Sequence, residues 1–240
     1  MFNKRHIVRT IAATVSILAL SFTAACGSGQ STASNSTDSD DITQQTYKPG
    51  KLTIATGQPA YEPWVMNDKP ESGEGYEAAV AYAVADKLGF KKSDVVWTRT
   101  AFDTAIAPGA KDWDFNIQQF GITDERKKAV DFSSSYYNDS QSVVVKKDSK
   151  FANATKVSDL KDATVGVMVG TLAYDYAKAN IKDDIQTFND DAALAQALDA
   201  GQIDALVTST VECVYMVQSE QVKDAKVLGR LPDSEDKSGM

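Results

Sequence analysis

The chain has 240 residues, 42% of them hydrophobic, with 25 basic and 33 acidic residues and a formal net charge of −8. That balance argues against a nucleic-acid partner, whose binding needs a basic patch. The only histidine is His6 and the only cysteines are Cys26 and Cys213, which excludes Ser-His-Asp and Cys-His catalysis, and His- or Cys-built metal clusters, from any folded part that follows.

In chain order, Lys4, Arg5 and Arg9 form a basic start, and residues 11–22 ("IAATVSILALSF") are uncharged and mostly apolar. A basic start, an apolar run and small residues make the layout of a secretory signal. The run is shorter than the roughly 20 apolar residues that span a bilayer. Thr23-Ala24-Ala25-Cys26 resembles a lipobox, with Thr23 where leucine is usual. The resemblance implies that residues 1–25 are a lipoprotein signal peptide, that cleavage falls before Cys26, and that its thiol carries a diacyl lipid. Loss of residues 1–25 removes three basic residues and takes the charge to −11. Residues 26–50 then read as a flexible tether, because Gly, Ser, Thr, Asn and Asp cannot bury enough surface to fold. With about 23 residues of such chain its reach is on the order of 26 Å.

The remaining elements follow in order. "KLTIAT" (51–56) reads as a strand. "YEAAVAYAVADKLGF" (76–90) reads as a helix, with Ala81, Val84, Ala85 and Leu88 at helical spacing and Gly89 closing it. "DVVWT" (94–98) is a strand, "FDTAIA" (102–107) a short helix stopped by Pro108-Gly109, and "WDFNI" (113–117) a strand. "VVV" (143–145) is a buried-strand pattern. "TVGVMV" (164–169) is a strand and "LAYDYAKAN" (172–180) a helix. "DDAALAQALDAG" (190–201) is a helix capped by Asp190, "IDALV" (203–207) a strand, and a helix follows through Tyr215. Strands alternating with short helices argue an α/β chain with mostly parallel pairing. "FDTAIAPGAKDWDFNI" and "LAQALDAGQIDALV" both run helix, glycine turn, aspartate, apolar strand. This echo points to two lobes, with ligands expected beyond the carboxyl ends of the strands.

Three stretches carry candidate chemistry. In "GITDERKKAVDFSSSYY" (121–137), Thr123 caps a short helix and Arg126 lies on its first turn. Spacing alone favours a surface arginine paired to Asp124 or Glu125; the functional reading is a bidentate clamp on a carboxylate. In "VMVGTLAYDY" (167–176), Gly170 and Thr171 place free backbone N–H groups at a helix start, a ready anion site, although an ordinary strand–helix turn is commoner. Tyr61 and Trp64 in "YEPW", with Phe102, are either packing or an aromatic wall for a ligand. No glycine-rich fingerprint calls for a dinucleotide, and nothing in the sequence calls for another cofactor or a metal.

Taken together, "LTIATGQPAYEPW", "GYEAAVAYAVADKLGF", "FDTAIAPG", "ITDERKKAVDFSSSYY", "DLKDATVGVMVGT" and "ALDAGQIDALV" resemble the amino-acid-binding family of ABC-transporter solute-binding proteins. The resemblance covers residues 51 to about 230. It implies a two-lobed, type II periplasmic-binding-protein-like fold with a hinge, lobe one at 51–138 and lobe two at 139–230. It further implies that Arg126 grips the ligand α-carboxylate and that Thr171, with the backbone at Gly170, assists from the other lobe. Tyr61, Trp64 and Phe102 would wall the ligand, and the loop at Gly121 and Thr123 would border it. Ser209 stands where the family has the aspartate that holds the ligand α-ammonium, with Glu212 three residues on.

The function expected on this basis is capture of an amino acid by a lipid-anchored monomer outside the bacterial cytoplasmic membrane, and delivery to an ABC permease. The alternative is a cyclic-amino-acid dehydratase-like enzyme on the same fold. Residues 231–240 read as the start of a return segment that is cut short. Only one crossing between lobes is expected, near 138–146. The first lobe should then leave an apolar face uncovered, and unpaired Cys213 hints at a cysteine beyond Met240.

Overall fold

The computed structural model describes residues 41–240. The expected signal peptide, Cys26 and the expected tether up to residue 40 lie outside the described residues. Residues 41–50, read from sequence as the end of the tether, are tied to the first lobe. Asp41 caps a 3₁₀ turn, Ile42–Gln44, and the Tyr47 N–H donates to Asp114 Oδ1 at 2.6 Å.

β1 (Leu52–Gly57), α1 (Tyr76–Lys87), β2 (Val95–Thr100), α2 (Phe102–Ile106) and β3 (Phe115–Asn116) build a parallel sheet in the order β2-β1-β3. All six residues of β1 are buried. Alanines 78, 81 and 85 are the buried stripe of α1; Ala81 and Ala85 let the helix lie close on Leu52, Ile54 and Phe115, while Ala78 packs with Ala60 and Val65. Gly89, with φ +86°, closes the helix end as its sequence position predicts.

β4 (Phe120–Gly121) and β5 (Tyr137–Asp139) follow, then β6 (Gln141–Lys146), β7 (Val165–Met168), α3 (Leu172–Asn180), β8 (Gln186–Phe188), α4 (Asp191–Asp199), β9 (Ala205–Ser209), α5 (Thr210–Gln218), β10 (Ala225–Arg230) and β11 (Asp236–Gly239). The second sheet runs β10-β6-β9-β7-β8, with β6 antiparallel to both neighbours and β7 parallel to β8 and β9. The apolar run at 143–145 serves both faces of this sheet, since side chains alternate along a strand. Val143 and Val145 pack with Ala173 and Ala177 of α3, while Val144 packs with Leu194 and Leu198 of α4.

The echo read from the sequence has a structural basis. Asp114 accepts from the Thr53 N–H at 2.7 Å, at the start of β1; Asp204 accepts from the Thr164 N–H at 2.8 Å, just before β7. Each aspartate satisfies a backbone donor that the first residues of its parallel ladder would otherwise leave open.

The chain crosses between lobes twice, not once. The first crossing is β5 to β6. The second leaves β10 and returns as β11, which inserts between β4 and β5. The two run together: the Leu231 N–H donates to the Gln141 carbonyl at 2.8 Å, and the Gln141 N–H to Ser234 Oγ at 3.0 Å. The expectation of an uncovered apolar face on lobe one is corrected by the same segment. Met240 and Tyr136 pack on the Leu52–Ile54 cluster, and β1 is buried throughout. Cys213 is a free, fully buried thiol among Leu194, Leu206 and Met216, where it packs as a small apolar side chain and needs no disulfide partner.

Gly75 precedes α1 at φ +103°, and a Cβ there would stand 2.4 Å from the Trp64 carbonyl oxygen. Gly75→Ala is expected to lower stability by about 2–3 kcal/mol, measured as the denaturant midpoint at constant slope. An unchanged midpoint would contradict this geometry.

Candidate functional site

A cleft opens between the lobes, lined by residues of both. It lies where the strand ends converge: Thr56 and Gly57 close β1, Met168 closes β7, and Thr208 and Ser209 close β9.

Arg126 enters from lobe one. Thr123 caps its turn, its hydroxyl accepting from the Arg126 N–H at 3.1 Å. The guanidinium donates to the Gly121 carbonyl at 2.9 Å and, across the cleft, to the Gly170 carbonyl at 3.0 Å. Its carbon lies 5.6 Å from the ring centroids of both Phe102 and Phe120, which stack on each other at 4.2 Å. The surface pairing that spacing favours does not form. Asp124 pairs with Lys127 and Glu125 with Lys128, and Arg126 forms no ion pair among the described residues. Burial pulls its pKa down, opposed by Asp175 and Asp236; an arginine stays charged regardless.

Opposite stands the N-terminus of α3. The Thr171 hydroxyl accepts from the Tyr174 N–H at 3.2 Å and donates to the Met168 carbonyl at 2.8 Å. Thr171, Leu172 and Ala173 line the cleft, and the amides of a first helical turn have no partner inside their own helix. Gly121 makes the close approach between lobes possible: a Cβ there would lie 2.4 Å from Leu172 Cδ1.

Other predicted residues divide. Tyr61 and Phe102 line the cleft. Tyr61 reaches lobe two, its hydroxyl accepting from the Ala192 N–H at 3.4 Å; burial, with Asp190 and Asp191 nearby, raises its pKa. Trp64 does not line the cleft. It is buried edge-on against Tyr76 and Tyr137, at 6.0 and 5.1 Å, and Val65 takes the place at the wall. Gly170 and Thr123 act through Arg126, as carbonyl acceptor and cap. Ser209 and Glu212 both line the cleft, and the Ser209 hydroxyl accepts from the Glu212 N–H at 3.3 Å. A second bridge joins the lobes where the Tyr215 hydroxyl donates to Glu62.

Sequence reasoning missed three carboxylates. Asp139, Asp191 and Asp236 join Glu212 in the lining. Thr208 Oγ1 donates to Glu212 at 2.8 Å and lies 3.4 Å from Asp191 Oδ1. Gln141 Nε2 donates to Asp236 at 2.8 Å. Burial pushes Asp191 and Asp236 up to about 6 and Glu212 well up, each raised further by a neighbouring carboxylate. No group of acidic residues among the described ones is arranged to hold a metal ion.

The family model for bacterial extracellular solute-binding proteins, family 3, matches residues 52–207. The chain belongs to that family. A family 3 relative, the L-cystine-binding protein of Escherichia coli (strain K12), is 31% identical over 160 residues, 66% of this chain and 59% of the relative; the match thus spans about three fifths of that protein. The glutamine-binding protein of Geobacillus stearothermophilus is 32% identical over 225 residues, 85% of this chain and 82% of its own. Among solved structures, an ancestral arginine-binding protein bound to arginine is 32% identical with a TM-score of 0.66, covering 79% of this chain and 83% of that one. The two-lobed fold with its double crossing is therefore that of the periplasmic amino-acid-binding proteins.

Proposed function

We propose that this chain is the binding component of an ABC transporter, capturing an amino acid in the cleft and handing it to a membrane permease. The observation that carries the reading is Arg126: a half-buried guanidinium beside two aromatic rings, in no ion pair among the described residues, facing the start of α3. That is a place for a ligand carboxylate. The named relatives are binding proteins of amino acids, which favours this reading over a dehydratase. Lobes 51–138 and 139–230 would close over the ligand about the paired crossings at Ser140 and Leu231. The basic start, apolar run and lipobox-like Thr23–Cys26 favour a chain held by a lipid on Cys26 at the outer face of the cytoplasmic membrane, and the proposal takes it as a monomer. No cofactor is part of the proposal.

A thermal-shift panel of the L-amino acids, followed by calorimetry, tests it. A ligand at 100 times its Kd is expected to add about 2.7 kcal/mol, a rise of roughly 5–10 °C in Tm, with one site per chain and the ligand recovered chemically unchanged. If no amino acid at millimolar concentration shifts a folded protein, the reading fails.

A further inference from the structure

Charge in the cleft is lopsided. Arg126 is its only cation, against Asp139, Asp191, Glu212 and Asp236, and none of these five takes part in an ion pair among the described residues. An ordinary amino acid brings one carboxylate and one ammonium. After Arg126 takes the first and one aspartate the second, buried carboxylates would remain uncompensated, at a cost of several kcal/mol each unless protonated.

The carboxylates are not equivalent. Asp236 lies within electrostatic reach of Arg126 and of Asp139. It is therefore placed for the α-ammonium, which in any amino acid stands next to the carboxylate. Asp191 and Glu212 form a separate pair around Thr208, both more than nine-tenths buried. Among the described residues the hydrogen bonds of both side chains run to Thr208 Oγ1, and neither carboxylate forms an ion pair with a lysine or arginine. Burial drives both toward the neutral form, as expected of acids whose counter-ion has not arrived.

Resting on the amino-acid reading above, we propose that the Asp191–Glu212 pair is a second cation subsite, which selects amino acids with a positively charged side chain, guanidinium or ammonium. The Tyr61 ring at the cleft wall gives the stem of such a side chain an apolar surface.

Calorimetry on the full chain tests this with isosteric pairs: L-arginine against L-citrulline, and L-lysine against L-2-aminoheptanoic acid. The charged member is expected to bind at least ~30-fold tighter. Asp191→Asn should bring one or both ratios to within about threefold while the neutral members still bind. A neutral member binding as tightly as its charged partner overturns the subsite and leaves the amino-acid reading standing. Ratios unmoved by both Asp191→Asn and Glu212→Gln, each verified folded by circular dichroism, overturn the residue assignment. No binding by any amino acid overturns the reading and the subsite together.

Discussion

Arg126→Ala is expected to weaken amino-acid binding at least about 100-fold while leaving the fold intact. A guanidinium offers five N–H donors; the carbonyls of Gly121 and Gly170 take two, and the rest are free for a ligand. The Phe102 and Phe120 rings cover part of the guanidinium, so a bound carboxylate meets a charge that water screens less than on an open surface. Removing that charge leaves the ligand carboxylate desolvated and unpaired, a loss of about 3–5 kcal/mol. Arg126→Lys keeps the charge but not the fork and should fall between the two. Calorimetry with the best ligand of the panel decides it; a change of less than about threefold in Arg126→Ala would remove Arg126 from the carboxylate end of the site.

The same residue shows where sequence alone stops. In "ITDERKK" an arginine beside two acids reads as a surface pair, because spacing cannot say which base each acid will choose. In three dimensions Lys127 and Lys128 take those acids one turn away, and Arg126 turns inward. The elements with strong patterns were legible: the alanine stripe of α1, the valines of β6, Asp190 as cap of α4 with its side chain accepting from Ala193 at 2.8 Å. β11 was not. "DKSG" has no apolar alternation, and it is a strand because β4 and β5 offer it two open edges. Asp139, Asp191 and Asp236 escaped for a related reason. They sit 45 to 97 residues apart in an acidic chain, and only the double crossing and the start of α4 bring them to one cleft.

Burying carboxylates without a counter-ion costs electrostatic free energy on folding, and this sets the second large effect. The ligand-free protein is expected to be more stable at pH 5 than at pH 8. Glu77, on α1, is wholly buried beneath Gln119 and Tyr136. Burial raises its pKa to about 7, although hydrogen bonds from Tyr136 and Gln119 pull the other way. Asp191 and Asp236 rise to about 6. A carboxyl with a raised folded pKa holds its proton longer than the unfolded chain does. Its contribution is full below the unfolded value near 4, and is lost as pH rises through 6 to 7. For Glu77 alone the loss is on the order of 3 kcal/mol, and a chain of this size should lose roughly 6–12 °C in Tm. Below pH 4 the trend reverses, because Lys51 and Lys146 hold Asp94 and Asp199 under their usual range, and protonating them removes that support. Glu77→Gln keeps a carbonyl for the Tyr136 hydroxyl and the Gln119 N–H while abolishing the titration. It should flatten the decline between pH 5 and 8, leaving the smaller part due to Asp191 and Asp236. Scanning calorimetry of both proteins at pH 4, 5, 6, 7 and 8 provides the check. A Tm that climbs from pH 5 to 8, or an identical decline in Glu77→Gln, would show that Glu77 is ionised in the folded state at pH 5 and that its burial is compensated in some other way.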